Sequence, residues 1–174
     1  REFIAAKSSP QEPAKGSIPV NNNLKYEIKG DAVTITGCDK KASGALIIPA
    51  TIEGKSVTSI GQGAFGSCYS LTSVTIPDSV TSVKDAAFHG CRSLTSITIG
   101  NGVTSIGAMA FYKCSSLTSI TIGNSVTSIW GVAFNYCHSL TSITIPDSVT
   151  SIKEYTLAYC KNLTTVTFLG DAPK

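Results

Sequence analysis

A repeat of 23 residues constrains the fold of this chain more than any other feature of its sequence. Residues 94–116 and 117–139 have almost the same amino-acid sequence, and the pattern can be followed from residue 71 to residue 163. Each copy is marked by a leucine (Leu71, Leu94, Leu117, Leu140 and Leu163), a phenylalanine (Phe65, Phe88, Phe111 and Phe134, then Leu157) and a cysteine (Cys68, Cys91, Cys114, Cys137 and Cys160). Such self-similarity is typical of solenoids, in which each repeat is one coil that packs on its neighbours.

The spacing of apolar residues inside one copy predicts how a coil is built. Val74 and Ile76 alternate with polar residues, which predicts the inner face of a short β-strand. Val80 and Val83 predict a second, shorter extended segment on another side of the coil. Residues 85–90 are long enough for about one helical or 3₁₀ turn. The positions predicted to face the core are Leu71, Val74, Ile76, Val80, Val83, Ala87, Phe88 and Cys91.

Three segments of the chain differ in their pattern. Residues 1–23 hold prolines among polar residues without apolar periodicity, which predicts a flexible leader. Residues 24–45 alternate between apolar and polar on both sides of Gly30-Asp31, which predicts a β-hairpin that caps the solenoid. Residues 46–174 are predicted to form about five coils, the first lengthened by a turn at residues 53–55. The predicted fold is a repeat solenoid, mainly β, with short helical or 3₁₀ turns and an N-terminal β-hairpin cap.

Composition excludes several classes of protein. The 174 residues are 42% hydrophobic and 14% charged, which argues against disorder and allows a long core. A net charge of +3, with no basic cluster longer than Lys40-Lys41, is too weak to predict a nucleic-acid or anionic-membrane surface. No apolar run approaches the roughly 18 to 20 residues that span a bilayer, so no membrane insertion is predicted. The chain does not begin with methionine, and we expect a fragment or a mature product.

The cysteine pattern favours thiols over disulfides. All but Cys38, which we assign to the hairpin, fall on the repeat. Equivalent residues of stacked coils lie about 4.8 Å apart with parallel side chains, whereas the Cβ atoms of a disulfide lie about 3.8 Å apart and face each other. The repeat therefore predicts a buried ladder of thiols.

No constellation of residues predicts an enzyme, a metal site or a bound cofactor. The cysteines form no C-x-x-C pair and have no second ligand, both of which are typical of zinc sites. His89 and His138 occupy different positions of the repeat, and Cys137 only neighbours His138 in sequence, so no nucleophile with a base is indicated. No phosphate-binding, dinucleotide-binding or calcium-binding motif is present.

The consensus L-T-S-[IV]-T-I-[PG]-x-x-V-T-S-[IV]-x-x-x-A-F-x-x-C-x-x resembles the BspA-like, or Treponema-type, leucine-rich repeat of bacterial cell-surface proteins and some protozoan parasites. The resemblance covers residues 46–174, and the preceding hairpin is similar to the family's usual N-terminal piece. It implies a right-handed, curved solenoid with a parallel sheet lining one side, and an extracellular or cell-surface location. It also implies adhesion to host matrix proteins such as fibronectin, to host cells or to other bacteria. Because the motif is structural, it assigns no catalytic or binding residue.

The C-terminal part of the chain departs from this consensus. Thr156 and Leu157 replace the Ala-Phe pair in the last complete copy. Thr167 and Phe168 belong to a segment that resembles a strand, which in relatives is normally followed by more repeat. We therefore expect the solenoid to be truncated at its C-terminal end.

The first candidate binding surface, which we call the hydroxyl face, is uniform. Threonines of successive strands are predicted to point outward, where they could bind regularly spaced groups such as a glycan chain or an ice lattice. The favoured alternative is structural, because threonine is β-branched, polar and suited to an exposed strand. The residues of the hydroxyl face are Thr75, Thr98, Thr121 and Thr144.

The second candidate surface, the variable edge, comprises positions 84, 86, 89, 90 and 92 and their equivalents in later copies. Side chains at these positions differ from copy to copy, which predicts exposure, and aromatic and basic residues are typical anchors of protein interfaces. The alternative is a set of solvated turns whose aromatic residues cover the edge of the coils. The candidate protein-binding residues are Trp130, Tyr112, Tyr136, Met109, Lys113, His138, Tyr155 and Tyr159.

Together these patterns favour a non-enzymatic surface or secreted module that binds proteins. The predicted partner is a host extracellular-matrix or cell-surface protein, or another bacterial surface protein. One alternative is a structural spacer or self-assembling scaffold, which would make the chain a homo-oligomer. A remote alternative is ice or polysaccharide binding by the hydroxyl face. No catalytic residue, cofactor, metal or nucleic-acid partner is predicted.

Overall fold

The computed structural model describes residues 23–171, so the predicted leader lies outside the described residues except for Asn23. Short β-strands, and no helix or 3₁₀ turn, are found in this part of the chain. The strands are β1 (Leu24–Lys29), β2 (Ala32–Cys38), β3 (Ser43–Ile47), β4 (Thr51–Ile52), β5 (Lys55–Ile60), β6 (Ser70–Ile76), β7 (Ser82–Val83), β8 (Ser96–Ile99), β9 (Ser105–Ile106), β10 (Ser119–Thr121), β11 (Ser128–Ile129), β12 (Ser142–Ile145), β13 (Ser151–Ile152) and β14 (Thr165–Phe168).

The β-hairpin predicted at the N-terminal end is confirmed. β1 and β2 pair antiparallel, with Lys29 opposite Ala32 on either side of the turn. Gly30 has a left-handed φ of 60°, which glycine adopts without strain in such a tight turn. On its other side β2 pairs in parallel with β5, so the hairpin continues the sheet of the first coil and covers its end.

The first coil differs from the predicted one in two details. Its strand β3 ends at Ile47, so it begins and ends earlier than the strand predicted at residues 47–49. The predicted turn is part of a second hairpin, in which Glu53 and Gly54 join β4 to β5. Both residues have positive φ, 52° and 73°, the geometry of favoured two-residue hairpin turns. Tyr26 Oη donates a hydrogen bond to Glu53 Oε1 at 2.7 Å, which ties this turn to the cap.

Parallel strands stack at the repeat spacing on two sides of the solenoid. On one side, β3, β6, β8 and β10 form one sheet, and β12 pairs with β14. On the other side, β2, β5, β7, β9, β11 and β13 follow one another in a single sheet. The second extended segment predicted for each coil is therefore confirmed. The first side carries the long strands, but its sheet is divided between β10 and β12.

The helical or 3₁₀ turn predicted before each cysteine is wrong. Residues 85–91 form hydrogen-bonded turns whose N–H groups point alternately within the coil and to the next coil. Phe88 N donates to Ala110 O at 2.7 Å, whereas His89 N donates to Ala86 O at 3.0 Å. A helix would direct these N–H groups to carbonyls of its own coil, so stacking on the next coil excludes it.

The core lies along the axis of the solenoid, and the positions predicted to face it in residues 71–93 are all buried. Phe65, Phe88, Phe111 and Phe134 form a continuous stack, with centroid spacings of 4.7, 5.3 and 5.2 Å. These spacings are close to the separation of paired strands, so one repeat serves both backbone pairing and ring stacking.

Polar residues repeat because they bond one coil to the next. Each threonine of one ladder donates its hydroxyl to a carbonyl of the preceding coil, as Thr104 Oγ1 does to Thr81 O at 3.1 Å. A second ladder contains Thr95 and its equivalents. At the turns, Asp78 Oδ1 accepts a hydrogen bond from Asn101 N at 2.6 Å. These threonines are distinct from those of the hydroxyl face.

Candidate functional site

Five side chains of the variable edge contact one another and form an aromatic cluster: His89, Tyr112, Tyr136, His138 and Tyr159. Tyr112 stacks on His89 with ring centroids 5.4 Å apart and meets Tyr136 edge to face at 5.7 Å. Tyr136 stacks on Tyr159 at 4.6 Å and meets His138 edge to face at 5.5 Å. Because these residues belong to successive copies of the repeat, the cluster runs along the solenoid axis.

Two basic side chains flank the aromatic cluster. Lys113 Nζ lies 5.1 Å from the ring centroid of Tyr112 and 5.9 Å from that of Tyr136. Arg92 Cζ lies 5.6 Å from the ring centroid of Tyr69. All three distances are within the range of cation–π attraction, which holds the cationic groups against the aromatic rings at the surface.

A shallow concavity of about 260 Å³ lies beside the cluster. It is lined by Arg92, Lys113, Ser115, Tyr136 and His138. No lining side chain is acidic, so the concavity carries positive charge at neutral pH. Aromatic walls and cationic groups together have the chemistry that suits an anionic group on an otherwise apolar surface.

His138 has a defined orientation in this concavity. Its Nδ1 atom lies 2.9 Å from the backbone carbonyl oxygen of Tyr159. Because a carbonyl oxygen only accepts hydrogen bonds, Nδ1 carries the proton. Nε2 is therefore the ring nitrogen that remains for a bound molecule.

The backbone of the variable edge adopts a conformation that disfavours side chains. Two positions of each coil have left-handed φ values, and glycine occupies some of them in the early copies, as at Gly63 and Gly90. A residue with a Cβ atom loses roughly 1 to 2 kcal/mol there. Five candidate residues occupy such positions: Met109 (55°), Lys113 (59°), Tyr136 (61°), Tyr155 (56°) and Tyr159 (58°).

The structure brings together only part of the predicted binding residues. The candidates that meet at the cluster and concavity are Tyr112, Lys113, Tyr136, His138 and Tyr159. Trp130, Met109 and Tyr155 are exposed, at 51%, 43% and 68%, and make no ring contact with the cluster in the described part of the chain.

Three residues of the site belong to the variable edge but were not among the candidate binding residues. His89 begins the aromatic cluster, and Arg92 and Ser115 line the concavity. Arg92 and Ser115 share one position of the repeat with His138, and this shared position is the signal that could have identified them.

The expectation of exposure fails for Asn135, which belongs to the variable edge but is only 4% exposed. Its Nδ2 atom donates to Tyr155 O at 3.1 Å, whereas its Oδ1 atom is buried without a hydrogen bond from any described residue. Asn135 follows His89 and Tyr112 at the repeat spacing and contributes no ring. The stack of rings at this repeat position therefore ends at Tyr112. Beyond it, the aromatic cluster continues through Tyr136, which lies at the next position of the repeat.

The threonines of the hydroxyl face are exposed. Thr75, Thr98 and Thr121 lie in register on adjacent strands, whereas Thr144 pairs with Thr167 beyond the division of the sheet. A groove of about 530 Å³ runs along the first three of these threonines and the turns that follow their strands. The regular array is therefore interrupted after Thr121.

Two further kinds of feature were sought among the described residues, a metal site and a membrane-spanning helix. No group of three or more His, Cys, Asp or Glu side chains between residues 23 and 171 could hold a metal ion. Over the same range, no helix is long and apolar enough to cross a membrane. The candidate site consists of aromatic, basic and hydroxyl groups.

Solved structures similar to this chain are bacterial repeat proteins. A leucine-rich repeat protein of T. pallidum is 27% identical, with 88% of this chain and 82% of that protein covered and a TM-score of 0.78. One from Bacteroides ovatus is 31% identical, with 84% and 40% covered and a TM-score of 0.76. A leucine-rich cell surface protein from Faecalibacterium prausnitzii is 28% identical, with 95% and 56% covered and a TM-score of 0.54. This chain therefore spans 40% of the length of the Bacteroides ovatus protein and 56% of the length of the Faecalibacterium prausnitzii protein.

Comparison with protein families agrees with these structures. The family described as BspA type leucine rich repeat region matches residues 51–172 in six copies, more than the roughly five coils predicted. No functionally curated protein matches the chain. The match covers well over half of the sequence and includes every strand from β4 to β14. This chain therefore belongs to the BspA-type leucine-rich repeat family.

Proposed function

We propose that this chain is a non-enzymatic, surface-displayed or secreted module that binds a partner protein through the aromatic cluster and the basic concavity beside it. The family's repeat is a protein-interaction fold, which supports a macromolecular partner. The open, shallow shape of the concavity supports the same conclusion, because small-molecule sites are usually clefts that enclose most of their ligand.

The observation that carries this proposal is that large side chains occupy positions where the backbone favours glycine. Tyr136 and Tyr159 have left-handed φ values, yet their rings stack at 4.6 Å. Gly90, at the equivalent position of an earlier copy, shows that the fold needs no side chain there. Residues kept against a conformational cost cluster at functional sites, so these tyrosines are the strongest candidates for contact with the partner.

The chemistry of the site favours a partner with acidic groups beside an apolar patch. Tyrosine and arginine are enriched among the residues that dominate binding energy at protein interfaces. Lys113 lies against two tyrosine rings, so its ammonium group loses little further freedom when it pairs with a carboxylate. Positive charge from Arg92 would also speed the encounter with an acidic surface.

Adhesion is the biological role that we propose for this binding. The partner would be a host extracellular-matrix or cell-surface protein, or another bacterial surface protein. The relative from Faecalibacterium prausnitzii is described as a cell surface protein, which supports a surface location. A rigid stack of coils presents its contacts at a fixed spacing, so several weak contacts can act together.

The test is binding of the purified chain to a panel of matrix proteins and cell-surface glycans by surface plasmon resonance. A Lys113→Ala/Tyr136→Ala variant should weaken protein binding at least about tenfold. A Thr98→Ala/Thr121→Ala variant on the hydroxyl face is the matched control and should bind normally, and Trp130→Ala should have a smaller effect. Circular dichroism checks that each variant is folded.

Other results would move or reject the site. Glycan binding that is lost only in the hydroxyl-face variant would assign the function to those threonines. Protein binding that survives in the cluster variant would reject the proposed site.

Self-assembly is a second candidate, favoured by the exposed apolar side chains of the C-terminal strand. Val166, Phe168 and Leu169 are 37%, 40% and 63% exposed, and β14 pairs only with β12 among the described strands. A second copy of the chain could pair with this edge. Sedimentation velocity should then show a mass that rises with concentration and falls to that of the monomer in Phe168→Lys. A constant monomer mass would exclude assembly.

A further inference from the structure

The turn that follows β8 contains the only Asn-Gly pair of the sequence, Asn101-Gly102. Val103 N donates to Gly100 O at 3.2 Å and closes this turn. An asparagine side-chain amide reacts most readily with the next backbone nitrogen when glycine follows, because glycine has no side chain to hinder the approach. The turn therefore carries two neighbouring groups that can react with each other.

Packing against the preceding coil explains why glycine follows Asn101. A Cβ atom built on Gly102 would overlap with Asp78 O, a backbone atom of the preceding copy. The N–H group of Gly102 donates no hydrogen bond to a described residue. The amide nitrogen of Gly102 is therefore neither shielded by a side chain of its own nor held in place by a hydrogen bond.

The side chain of Asn101 is exposed, and the next coil polarises its carbonyl group. Asn124 N donates a hydrogen bond to Asn101 Oδ1 at 3.1 Å. A backbone N–H group in this place also stabilises the negative charge that develops on the oxygen atom when a nucleophile attacks the carbonyl carbon. The Cγ atom of Asn101 is therefore activated toward the amide nitrogen that follows it in the chain.

We propose that Asn101 is a modification site, at which spontaneous deamidation converts the asparagine to an aspartate. In the first step, Gly102 N attacks Asn101 Cγ and closes a succinimide ring. The proton of the Gly102 N–H group passes to Nδ2, the Cγ–Nδ2 bond breaks, and ammonia leaves. In the second step, water adds to Cγ, the ring C–N bond breaks, and the Gly102 nitrogen regains a proton. Water is the only co-reactant, and no group is oxidised or reduced.

The repeat itself indicates that an aspartate fits this position. Asp78 occupies the equivalent position of the preceding copy, and its Oδ1 atom accepts a hydrogen bond from Asn101 N at 2.6 Å. An aspartate at position 101 can accept the bond from Asn124 N in the same way. Isoaspartate, which forms when water opens the ring at its other carbonyl group, lengthens the main chain. The close approach of Gly102 to Asp78 O disfavours this longer backbone, so we expect aspartate to be the main product.

Deamidation would place a new charge on the hydroxyl face. Asn101 and Asp78 both line the groove that runs along Thr75, Thr98 and Thr121. Neighbouring coils lie about 4.8 Å apart, so the new carboxylate would lie near that of Asp78 and repel it. One added negative charge would lower the formal net charge from +3 to +2. The site lies outside the aromatic cluster, so this proposal is independent of the proposed function.

The test is incubation of the full chain at mildly alkaline pH, followed by tryptic digestion and mass spectrometry. The peptide of residues 93–113 has Asn101 as its only asparagine and should gain the mass difference between an amide and an acid. Asn124 is the matched control, because it holds the same position of the next copy but precedes Ser125. The rate constant at Asn101 should exceed that at Asn124 by at least about tenfold, since the hydrogen bond to Oδ1 and the missing side chain act together.

A substituted chain separates the effect of glycine from that of the hydrogen bond. In Ser125→Gly, Asn124 also precedes a glycine, but its Oδ1 atom accepts no hydrogen bond from a described residue. Asn124 should then deamidate faster than in the unsubstituted chain and more slowly than Asn101. Enzymatic methylation of isoaspartate should detect little of this product in the folded chain and more of it in the chain unfolded in urea.

Three results would overturn the proposal. One is an Asn101 that stays intact in the folded chain while the unfolded chain deamidates. Another is an equal rate at Asn101 and Asn124. The third is isoaspartate as the main product of the folded chain, which would contradict the packing argument. All three are measured on the unsubstituted chain, so the decision does not depend on whether Ser125→Gly folds.

Discussion

The strand sides of the solenoid and its variable edge belong to the same repeat but differ in the groups that bond one coil to the next. On the strand sides, side chains bond the coils together, as Thr104 does with Thr81. At the variable edge, most bonds between coils join backbone groups, as Lys113 N does with Asn135 O at 2.9 Å, and the side chains of Asn135 and His138 add single bonds to the next coil. Uniform positions therefore mark side chains that hold the stack, and variable positions mark side chains that are available for other contacts.

The conformational cost is also distributed unequally between the two regions. Apart from Glu53 in the turn between β4 and β5, the left-handed residues with large side chains lie at the variable edge, as Tyr136 and Tyr159 do, whereas the strands have extended backbone. We therefore propose that stability and binding depend on different parts of each coil. Substitutions that separate these two properties test the comparison directly.

The largest effect is expected in the core that both regions share. Phe111 is fully buried and stacks between Phe88 and Phe134. Phe111→Ala should lower the free energy of unfolding by about 3 to 5 kcal/mol, because it leaves a cavity in the stack. Urea denaturation measures this value. Phe168→Ala, at an exposed ring, should cost less than about 1 kcal/mol, and equal costs would contradict the assigned core.

A smaller loss is expected where two coils approach closely at the end of β10. A Cβ atom on Gly123 would lie 2.3 Å from Gly100 O, a backbone atom of the preceding coil. Gly123→Ala should lower the free energy of unfolding by about 1 to 3 kcal/mol, because the backbone must move. In Gly37→Ala the new atom would meet only the Lys25 side chain, at 3.4 Å, so this control should change little in the same urea titration.

Threonines on the strand side should differ in how much their hydroxyl groups contribute to the free energy of unfolding. Thr95 Oγ1 donates to Thr72 O at 2.9 Å, whereas Thr98 has no hydrogen-bond partner for its hydroxyl among the described residues. Thr95→Val should lower the free energy of unfolding by about 1 kcal/mol, and Thr98→Val by less than about 0.5 kcal/mol. Thermal and urea unfolding can resolve this difference. A larger loss for Thr98→Val would reverse the assignment.

A small gain in stability is expected at the variable edge. Tyr155 is 68% exposed and has a φ of 56°. Tyr155→Gly should relieve the strain, and Tyr155→Ala, which keeps a Cβ atom, should not. We expect the glycine variant to be more stable than the alanine variant by about 1 kcal/mol in urea. An alanine variant at least as stable would show that the left-handed backbone carries no strain there.

Local pattern was sufficient to predict the coil, because burial repeats with the sequence. The inward positions of residues 71–93 and the hairpin around Gly30 follow from alternation and spacing alone. The turn at residues 85–91 was assigned the wrong structure because its sequence suits a helix as well as a turn. Hydrogen bonds to the next coil decide between the two, and these lie a full repeat away.

The candidate site was predicted only in part for the same reason. Variation between copies identified Tyr112 and Tyr136, since exposed positions tolerate change. It also identified Trp130, which lies apart from the cluster, and it placed Arg92 and His89 on the variable edge without marking them as binding residues. Two side chains of neighbouring coils meet only if they point toward each other in the stacked structure. The sequence of a single copy of the repeat does not show this.

The sequence by itself determined the period, the inward-facing residues and the family, because each depends on apolar side chains that recur at a fixed spacing and must be buried together. Tertiary structure alone decided that the long-stranded sheet divides after β10, that Lys113 lies against two tyrosine rings, and that Tyr26 of the cap bonds to Glu53 of the first coil. Those contacts join residues distant in sequence through the packing of cap and coils. Their geometry is set by stacking and not by the local pattern.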